Sequence, residues 1–206
     1  PDISYGFYEV FASRYGIDSE VIPLKQDYSL CADDYCGLGR TIVIANPNAP
    51  TGMSISLSDI EKIASTNPDN VVVIDEAYVD FGGESAVELT KKFDNLIVVQ
   101  TFSKSRQLAG ARLGFAIANE ALITDLNTVR FSSNPYNINR LTLLAGEAAI
   151  NDKAYFESTR QQIIENRAYT VAELNKRNFT VLDSKTNFVF AAHAEKNGEE
   201  LYKGLK

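Results

Sequence analysis

The chain has few of the residues that usually bind metals or form disulfides. Among its 206 residues, Cys31 and Cys36 are the only cysteines and His193 is the only histidine. This set is too small for a dedicated Cys/His metal site or a disulfide framework, so the sequence predicts no metal and favours free thiols in a reducing compartment. No apolar run reaches the roughly 18 residues of a membrane span, and no basic-then-apolar leader is visible. These absences predict a cytoplasmic protein that does not bind a membrane.

Basic charge is also in short supply. The chain has 20 Lys and Arg residues against 27 Asp and Glu residues, and its formal net charge is −7. A negative field repels nucleic acid unless a local basic patch overrides it, and the sequence shows no such patch. We therefore expect no nucleic-acid partner. Apolar residues, by contrast, make up 45% of the chain, which is typical of a globular protein with a packed core.

Methionine occurs only once, at Met53. Residue 1 is therefore not a translation start, and residues 198–206 have the pattern of a helix that is cut short. Both features predict that the chain is part of a longer protein. We expect the 206 residues alone to show weak activity or none.

Short apolar runs alternate with amphipathic stretches along the chain, a pattern typical of an α/β layer architecture with a mainly parallel sheet. Residues 41–45, 71–74 and 96–99 are continuous and rich in β-branched side chains, as in strands that are covered on both faces. Residues 113–118 are a fourth candidate strand and residues 21–24 a weaker one. Helices are predicted over residues 3–15, 59–66, 119–129, 138–150 and 152–177, and short strands over residues 181–182 and 187–191.

Two signals mark boundaries within this pattern. Ser58 and Glu61 have the spacing of a capping box, which predicts that a helix starts at residue 59. Beyond residue 150 a long helix is followed by short strands, as in a small α+β domain. We therefore divide the chain into a large α/β domain over residues 1–150 and, over residues 151–206, a connecting helix with the start of a small domain.

Polar residues follow three of the predicted strands, at the edge where open α/β sheets bind ligands. They are Asn48, Asp75, Tyr78, Thr101, Ser103, Lys104 and, eight residues beyond the lysine, Arg112. Alone, an aspartate at a strand end more often forms a turn or caps a helix, and a lysine is commonly a solvated charge. Together, a carboxylate, an amine, two hydroxyls and an arginine are the groups that a phosphorylated aromatic cofactor needs when it forms an imine.

Four segments of the chain carry a resemblance to a known superfamily. They are Asn48–Gly52, Asp75–Tyr78, Thr101–Lys104 and Gly110–Gly114. These segments are similar to the signature segments of fold-type-I pyridoxal-phosphate aminotransferases. Within that superfamily, Asp75–Phe81 and Asn134–Asn139 resemble segments of the histidinol-phosphate aminotransferase family. The likeness extends from Tyr5 to Phe188.

The resemblance implies a fold and an activity. The fold is a three-layer sandwich with a mainly parallel sheet, in which residues 1–150 form the large domain that binds pyridoxal phosphate. The activity is amino-group transfer between histidinol phosphate, as the amino donor, and 2-oxoglutarate, as the 2-oxo acid acceptor, in histidine biosynthesis by a homodimer. Two alternatives remain open, namely a lyase or decarboxylase of a phosphorylated amino acid on the same scaffold and a truncated, non-catalytic domain that kept the fold.

The resemblance also implies a role for each site residue. Lys104 holds the cofactor aldehyde as a Schiff base and, once the substrate amine has freed it, moves a proton between the substrate's α-carbon and C4′ of the cofactor. Asp75 faces the pyridine nitrogen and keeps it protonated, and Tyr78 hydrogen-bonds the 3′-oxygen of the ring. Asn48 is assigned to the same oxygen, since Ala49 stands where the family usually has asparagine.

The remaining contacts implied by the resemblance lie around the ring and its phosphate. Thr101, Ser103 and Arg112 bind the phosphate, whose oxygens match the planar fork of arginine. Tyr5 corresponds to the aromatic residue that stacks on the ring. In these enzymes a partner subunit also contributes to the site.

Overall fold

A computed structural model describes residues 1–206 of the protein. Its central sheet has four strands in the order β1-β2-β3-β4. The strands are β1 (Ile42–Ala45), β2 (Val72–Asp75), β3 (Leu96–Thr101) and β4 (Gly114–Ile117). The first three are parallel, whereas β4 runs antiparallel to β3. The prediction of an α/β fold with a mainly parallel sheet is confirmed.

Six helices surround or extend from this sheet. They are α1 (Phe7–Arg14), α2 (Leu57–Thr66), α3 (Glu120–Ser133), α4 (Arg140–Asn151), α5 (Lys153–Asn175) and α6 (Gly198–Leu205). Helix α1 begins at Phe7 rather than at residue 3, and α3 continues four residues beyond its predicted end at residue 129. None of the six combines the length and the apolar character that crossing a bilayer requires.

The predicted helix start at Ser58 is wrong, because the N-cap of α2 is Ser56. The Ser56 hydroxyl accepts a hydrogen bond from the backbone N–H of Asp59 at 3.1 Å, and the Asp59 carboxylate accepts one from the backbone N–H of Ser56 at 3.2 Å. The same two-way capping pattern therefore exists, but with an aspartate as the acid and two residues earlier. Ser58 instead hydrogen-bonds the Ser56 hydroxyl at 2.8 Å.

Two other predicted strands differ from the structure. The segment 21–24 forms no strand, because its backbone bonds to Asp2: the Asp2 N–H donates to the Ile22 carbonyl and the Leu24 N–H donates to the Asp2 carboxylate. The second sheet consists of β5 (Phe179–Val181) and β6 (Ala191–His193), which pair antiparallel. Strand β6 thus begins where the predicted strand over residues 187–191 ends.

The core lies on one face of the four-stranded sheet. Its strand residues are at most 4% exposed, and they are Ile42, Ile44, Val72, Ile74, Leu96 and Val98. They pack with Ile60 and Ile63 of α2. On the opposite face Val43, Val73 and Val99 are half-buried, whereas Ala45 and Ile97 are 8% and 7% exposed. The expectation that the strands are covered on both faces is therefore met in full on one face and in part on the other.

Candidate active site at the carboxyl ends of the parallel strands

The three parallel strands end at one edge of the sheet and bring the predicted site residues toward it. Asp75 is the last residue of β2 and is paired in register with Ala45 and Val99 on the two neighbouring strands. Successive side chains of a strand point to opposite faces, so Asp75 lies on the half-buried face, whereas Ile74 points into the core. Asp75 is therefore fixed by a strand that is paired on both sides, and it remains partly accessible.

Two hydrogen bonds hold the Asp75 carboxylate. The Tyr8 hydroxyl of α1 donates to one carboxylate oxygen at 2.7 Å, and the Ala77 N–H donates to the other at 3.1 Å. Burial, together with the neighbouring Asp75 carboxylate, raises the pKa of Tyr8 well above its usual range. Tyr8 therefore keeps its proton and acts as a permanent donor to Asp75.

Tyr5 lies beside this pair. Its ring packs edge-on against Tyr8, with ring centroids 5.4 Å apart, and it is 53% exposed. A largely exposed aromatic face next to a held carboxylate is the arrangement that a stacked heterocyclic ring requires. The structure thus brings Tyr5 and Asp75 together through Tyr8, which the sequence did not identify as a site residue.

Lys104 and Tyr78 converge from different loops. The Lys104 ammonium lies 5.2 Å from the centroid of the Tyr78 ring, a distance within cation–π range. Phe188 also packs against Tyr78: the two rings meet edge-on, with their centroids 5.1 Å apart. Lys104 is exposed, so its amine is accessible to a small molecule.

Hydroxyl and guanidinium donors occur at the end of β3 and in the segment that follows it. The Thr101 hydroxyl donates to Ser103 Oγ at 3.0 Å and accepts the Ser103 N–H at 3.1 Å. The chain that follows Arg112 pairs with this segment, because the Phe102 N–H donates to the Leu113 carbonyl at 3.0 Å. Arg112 itself has a left-handed backbone with φ 53° and is exposed, with one guanidinium nitrogen bound to the Ala109 carbonyl. Its other donors remain available to an anion.

The side-chain amide of Asn48 is fully engaged by the N-terminal segment and by its own loop. Its side-chain nitrogen donates to the Ile3 carbonyl and to Thr51 Oγ1, both at 2.9 Å, and its oxygen accepts from the Ser4 hydroxyl at 2.7 Å. Asn48 is 8% exposed. Its amide group therefore joins the N-terminal segment to the loop after β1, and its assignment to the ring oxygen stays a prediction.

A segment from the far end of the chain closes one side of the site. The Lys185 N–H donates to the Gly52 carbonyl at 2.8 Å. A Cβ atom at Gly52, whose φ is +78°, would lie 2.5 Å from Ser184 Oγ, so this close approach requires glycine. Arg167 of α5 donates to the Phe81 carbonyl at 2.9 Å and also to the Thr186 carbonyl. Nothing in the sequence pattern indicated this contact.

Comparison with known proteins gives one family and several close relatives. The family model described as aminotransferase class I and II matches residues 1–205. Histidinol-phosphate aminotransferase of Brachyspira hyodysenteriae is 51% identical over an alignment of 207 positions, which covers all of this chain and 58% of that protein. The chain thus spans a little under three fifths of the length of this curated relative.

Solved structures agree at the level of the fold. The crystal structure of histidinol-phosphate aminotransferase from Clostridium acetobutylicum superposes with a TM-score of 0.88 and 26% identity, covering 98% of this chain and 63% of that one. L-threonine-O-3-phosphate decarboxylase from Porphyromonas gingivalis gives a TM-score of 0.80 at 24% identity, covering 97% of this chain and 61% of that one. The second likeness shows the fold alone.

Proposed function

The chain belongs to the aminotransferase class I and II family, and on that basis we propose that the protein transfers an amino group between histidinol phosphate and 2-oxoglutarate with pyridoxal phosphate as its cofactor. The observation that carries this proposal is that the Lys104 ammonium lies 5.2 Å from the centroid of the Tyr78 ring. Tyr78 in turn lies three residues after Asp75, whose carboxylate is held by Tyr8. An amine, a phenol and a carboxylate from two strand ends are the groups that this chemistry uses.

The donor set fits the cofactor. Thr101, Ser103 and Arg112 would bind its phosphate, since two adjacent hydroxyls and an exposed guanidinium supply the donors that phosphate oxygens accept. Tyr5 offers a ring face, and Tyr78 offers a phenol to the 3′-oxygen. When bound, pyridoxal phosphate supplies an electron sink for negative charge at the substrate's α-carbon.

The chain's own residues perform the proton transfers. Lys104 would attach the cofactor through its amine and, when free, would move a proton between the substrate's α-carbon and C4′ of the cofactor. The Asp75 carboxylate would hold a proton on the pyridine nitrogen. Its two hydrogen bonds, from Tyr8 and from the Ala77 N–H, keep it in one orientation during this process.

The substrate assignment rests on the relatives. The match at 51% identity covers the whole chain and carries the name histidinol-phosphate aminotransferase. The decarboxylase likeness, at 24% identity, supports only the shared scaffold. We assign the reaction to histidine biosynthesis in the cytoplasm, residues 1–150 to the large cofactor-binding domain, and residues 151–206 to the connecting helix and part of the small domain.

We further propose that the protein acts as a homodimer. Helices α3 and α4 and the loop between them expose large apolar side chains, namely Val129, Phe131, Tyr136, Leu141 and Leu144. Exposure of several large apolar side chains in one stretch of the chain favours a protein interface over contact with water. A second copy of the chain is the partner that the family resemblance implies.

The test uses the protein at its full natural length, loaded with pyridoxal phosphate and given histidinol phosphate and 2-oxoglutarate. We expect glutamate to form without release of carbon dioxide. Carbon dioxide without glutamate would replace this proposal with decarboxylation. A protein that develops no visible absorbance band with the cofactor, or none that borohydride removes, would be a binding domain without this catalysis.

A further inference from the structure

We propose that Asp80 and Ser105 are positioning residues, which together form a hydrogen-bonded latch that fixes Lys104 opposite Tyr78. The inference rests on the proposed function, because it concerns the placement of the proposed cofactor lysine. The latch is defined by two residues only, the carboxylate of Asp80 and the hydroxyl of Ser105, and neither belongs to the set that would touch the cofactor.

The latch joins the immediate neighbours of the two site residues. Ser105 directly follows Lys104. Asp80 lies two residues after Tyr78, in the 3₁₀ helix Val79–Phe81, which is one turn long. The Ser105 hydroxyl donates to the Asp80 carboxylate. Ser105 is 4% exposed, so water competes little for this bond, and the ionised acceptor makes it stronger than a bond between neutral groups.

The turn that carries Asp80 is held from behind by α5. Arg160 donates to the Asp80 carbonyl at 3.3 Å, and Arg167 donates to the next carbonyl, that of Phe81, at 2.9 Å. Two arginines spaced two turns apart on one helix therefore fix the backbone that carries the Asp80 carboxylate.

The loop that carries Lys104 is fixed separately. Arg106 donates to the Ala149 carbonyl at 3.0 Å, and its guanidinium lies 3.5 Å from the centroid of the Phe156 ring. The Leu108 N–H donates to the Phe102 carbonyl at 2.9 Å and closes the loop. The latch connects this loop, which carries the amine of Lys104, to the Asp80 turn, which directly follows Tyr78. It therefore fixes the position of the amine relative to the phenol.

The connection matters because the lysine side chain cannot position itself. Lys104 is exposed and has a flexible four-carbon stem, so the place of its amine depends on where its backbone is held. A shift of about 1 Å in a reacting group is sufficient to lower a rate by about a hundredfold. The buried neighbour Ser105 supplies the fixed backbone point that the lysine lacks.

The experiment compares variants of the full-length protein. Ser105→Ala and Asp80→Ala remove the hydrogen bond, whereas Asp80→Asn keeps an acceptor oxygen without the charge. Asp69→Ala, at an exposed aspartate outside the latch and its supports, is the matched control. Three quantities are measured: amide hydrogen exchange of residues 102–108 in cofactor-free protein, the dissociation constant of pyridoxal phosphate, and the pH at which the absorbance of the lysine-bound cofactor titrates.

We expect Ser105→Ala and Asp80→Ala each to speed exchange in residues 102–108 and to weaken cofactor binding, both by about tenfold, as the loss of a hydrogen bond to a charged acceptor predicts. Both should also shift the absorbance titration. The double variant should add nothing to either single change, because both remove the same bond. Asp80→Asn, which keeps the acceptor oxygen without its charge, should fall between the wild type and Asp80→Ala. Asp69→Ala should stay close to the wild type.

Several outcomes would overturn the latch. Wild-type values in Ser105→Ala and Asp80→Ala, additive effects in the double variant, or a loss in Asp80→Asn as large as in Asp80→Ala would each do so. Faster exchange throughout the protein with an unmoved absorbance titration would show a general structural role instead. If the wild-type protein binds no pyridoxal phosphate, the proposed function fails, and the exchange measurement still decides whether the latch exists.

Discussion

The two faces of the four-stranded sheet are made by the same short strands but differ in what they contain. One face is a closed layer of aliphatic side chains such as Ile44, Ile74 and Val98, all at most 1% exposed. The other face is half-buried and carries Asp75 at the end of β2. Because the side chains alternate, the closed face fixes the strand backbone and thereby the position of the residues on the open face.

The neighbouring residues Asp75 and Glu76 show the same difference between the two faces. Asp75 points to the open face, where Tyr8 holds it. Glu76 is 2% exposed and accepts hydrogen bonds from Ser85 Oγ at 2.7 Å, the Ala86 N–H at 2.5 Å and Gln100 Nε2 at 2.8 Å. Glu76 therefore connects the end of β2 to β3 and to the segment at residues 85–86, whereas its neighbour Asp75 remains accessible to a ligand.

The largest expected effect tests the open face. Lys104→Ala should lower turnover by at least about a thousandfold, since under the proposed function it removes the group that attaches the cofactor and transfers protons. The thermal unfolding temperature should stay within about 2 °C of the wild type, because Lys104 is exposed. Steady-state kinetics and a melting curve measure the two. A borohydride-stable adduct in this variant would place the attachment elsewhere.

A pair of adjacent substitutions tests the contrast between the faces directly. Ile74→Ala should lower the free energy of unfolding by about 3 kcal/mol, because it empties space in the closed layer. Val73→Ala, on the half-buried face, should cost about 1 kcal/mol. Urea unfolding of the full-length protein measures both. Equal losses would show that the second face is equally closed there.

A smaller effect tests how Asp75 is held. Tyr8→Phe removes one hydrogen bond to the carboxylate and should lower kcat/KM by about tenfold with little loss of stability. The same change made on top of Asp75→Asn should have less effect, because the two side chains act as one unit. Kinetics of the two single variants and the double variant measure this coupling. Fully additive losses would mean that Tyr8 acts independently of Asp75.

The smallest effect concerns the dependence of stability on pH. Burial raises the pKa of Glu76 despite its three hydrogen bonds. The folded protein then binds more protons than the unfolded chain, so this group's contribution to stability is complete at low pH and is lost as pH rises through the raised pKa. Glu76→Gln should flatten that decline in urea unfolding, whereas Glu147→Gln, at an exposed glutamate, should not.

Local pattern was enough to predict most of the sheet. The runs 41–45, 71–74 and 96–99 are β-branched and continuous, and all three are strands within two residues of the predicted bounds. The position of Ser58 misled because Ser56, two residues earlier, satisfies the same capping chemistry. Strand direction is not a local property, so the antiparallel run of β4 had no sequence signal.

The site divides in the same way. Lys104 and Tyr78 follow strand ends, and their convergence was predictable once the sheet was known. The bond between Tyr8 and Asp75 spans 67 residues, and the latch between Asp80 and Ser105 spans 25. Hydrogen bonds across such separations depend on how loops and helices pack, which periodicity does not record.

Helix α5 connects the Asp80 turn to the second sheet. With 23 residues it is about 35 Å long, and the two arginines that contact the carbonyls of residues 80 and 81 lie within its first two thirds. A tilt of about 5° around those contacts would move the distal end, where β5 follows, by roughly 1 to 2 Å. Because α5 contacts the Asp80 turn and is followed directly by β5, the helix couples the position of the second sheet to that of the turn that carries the latch.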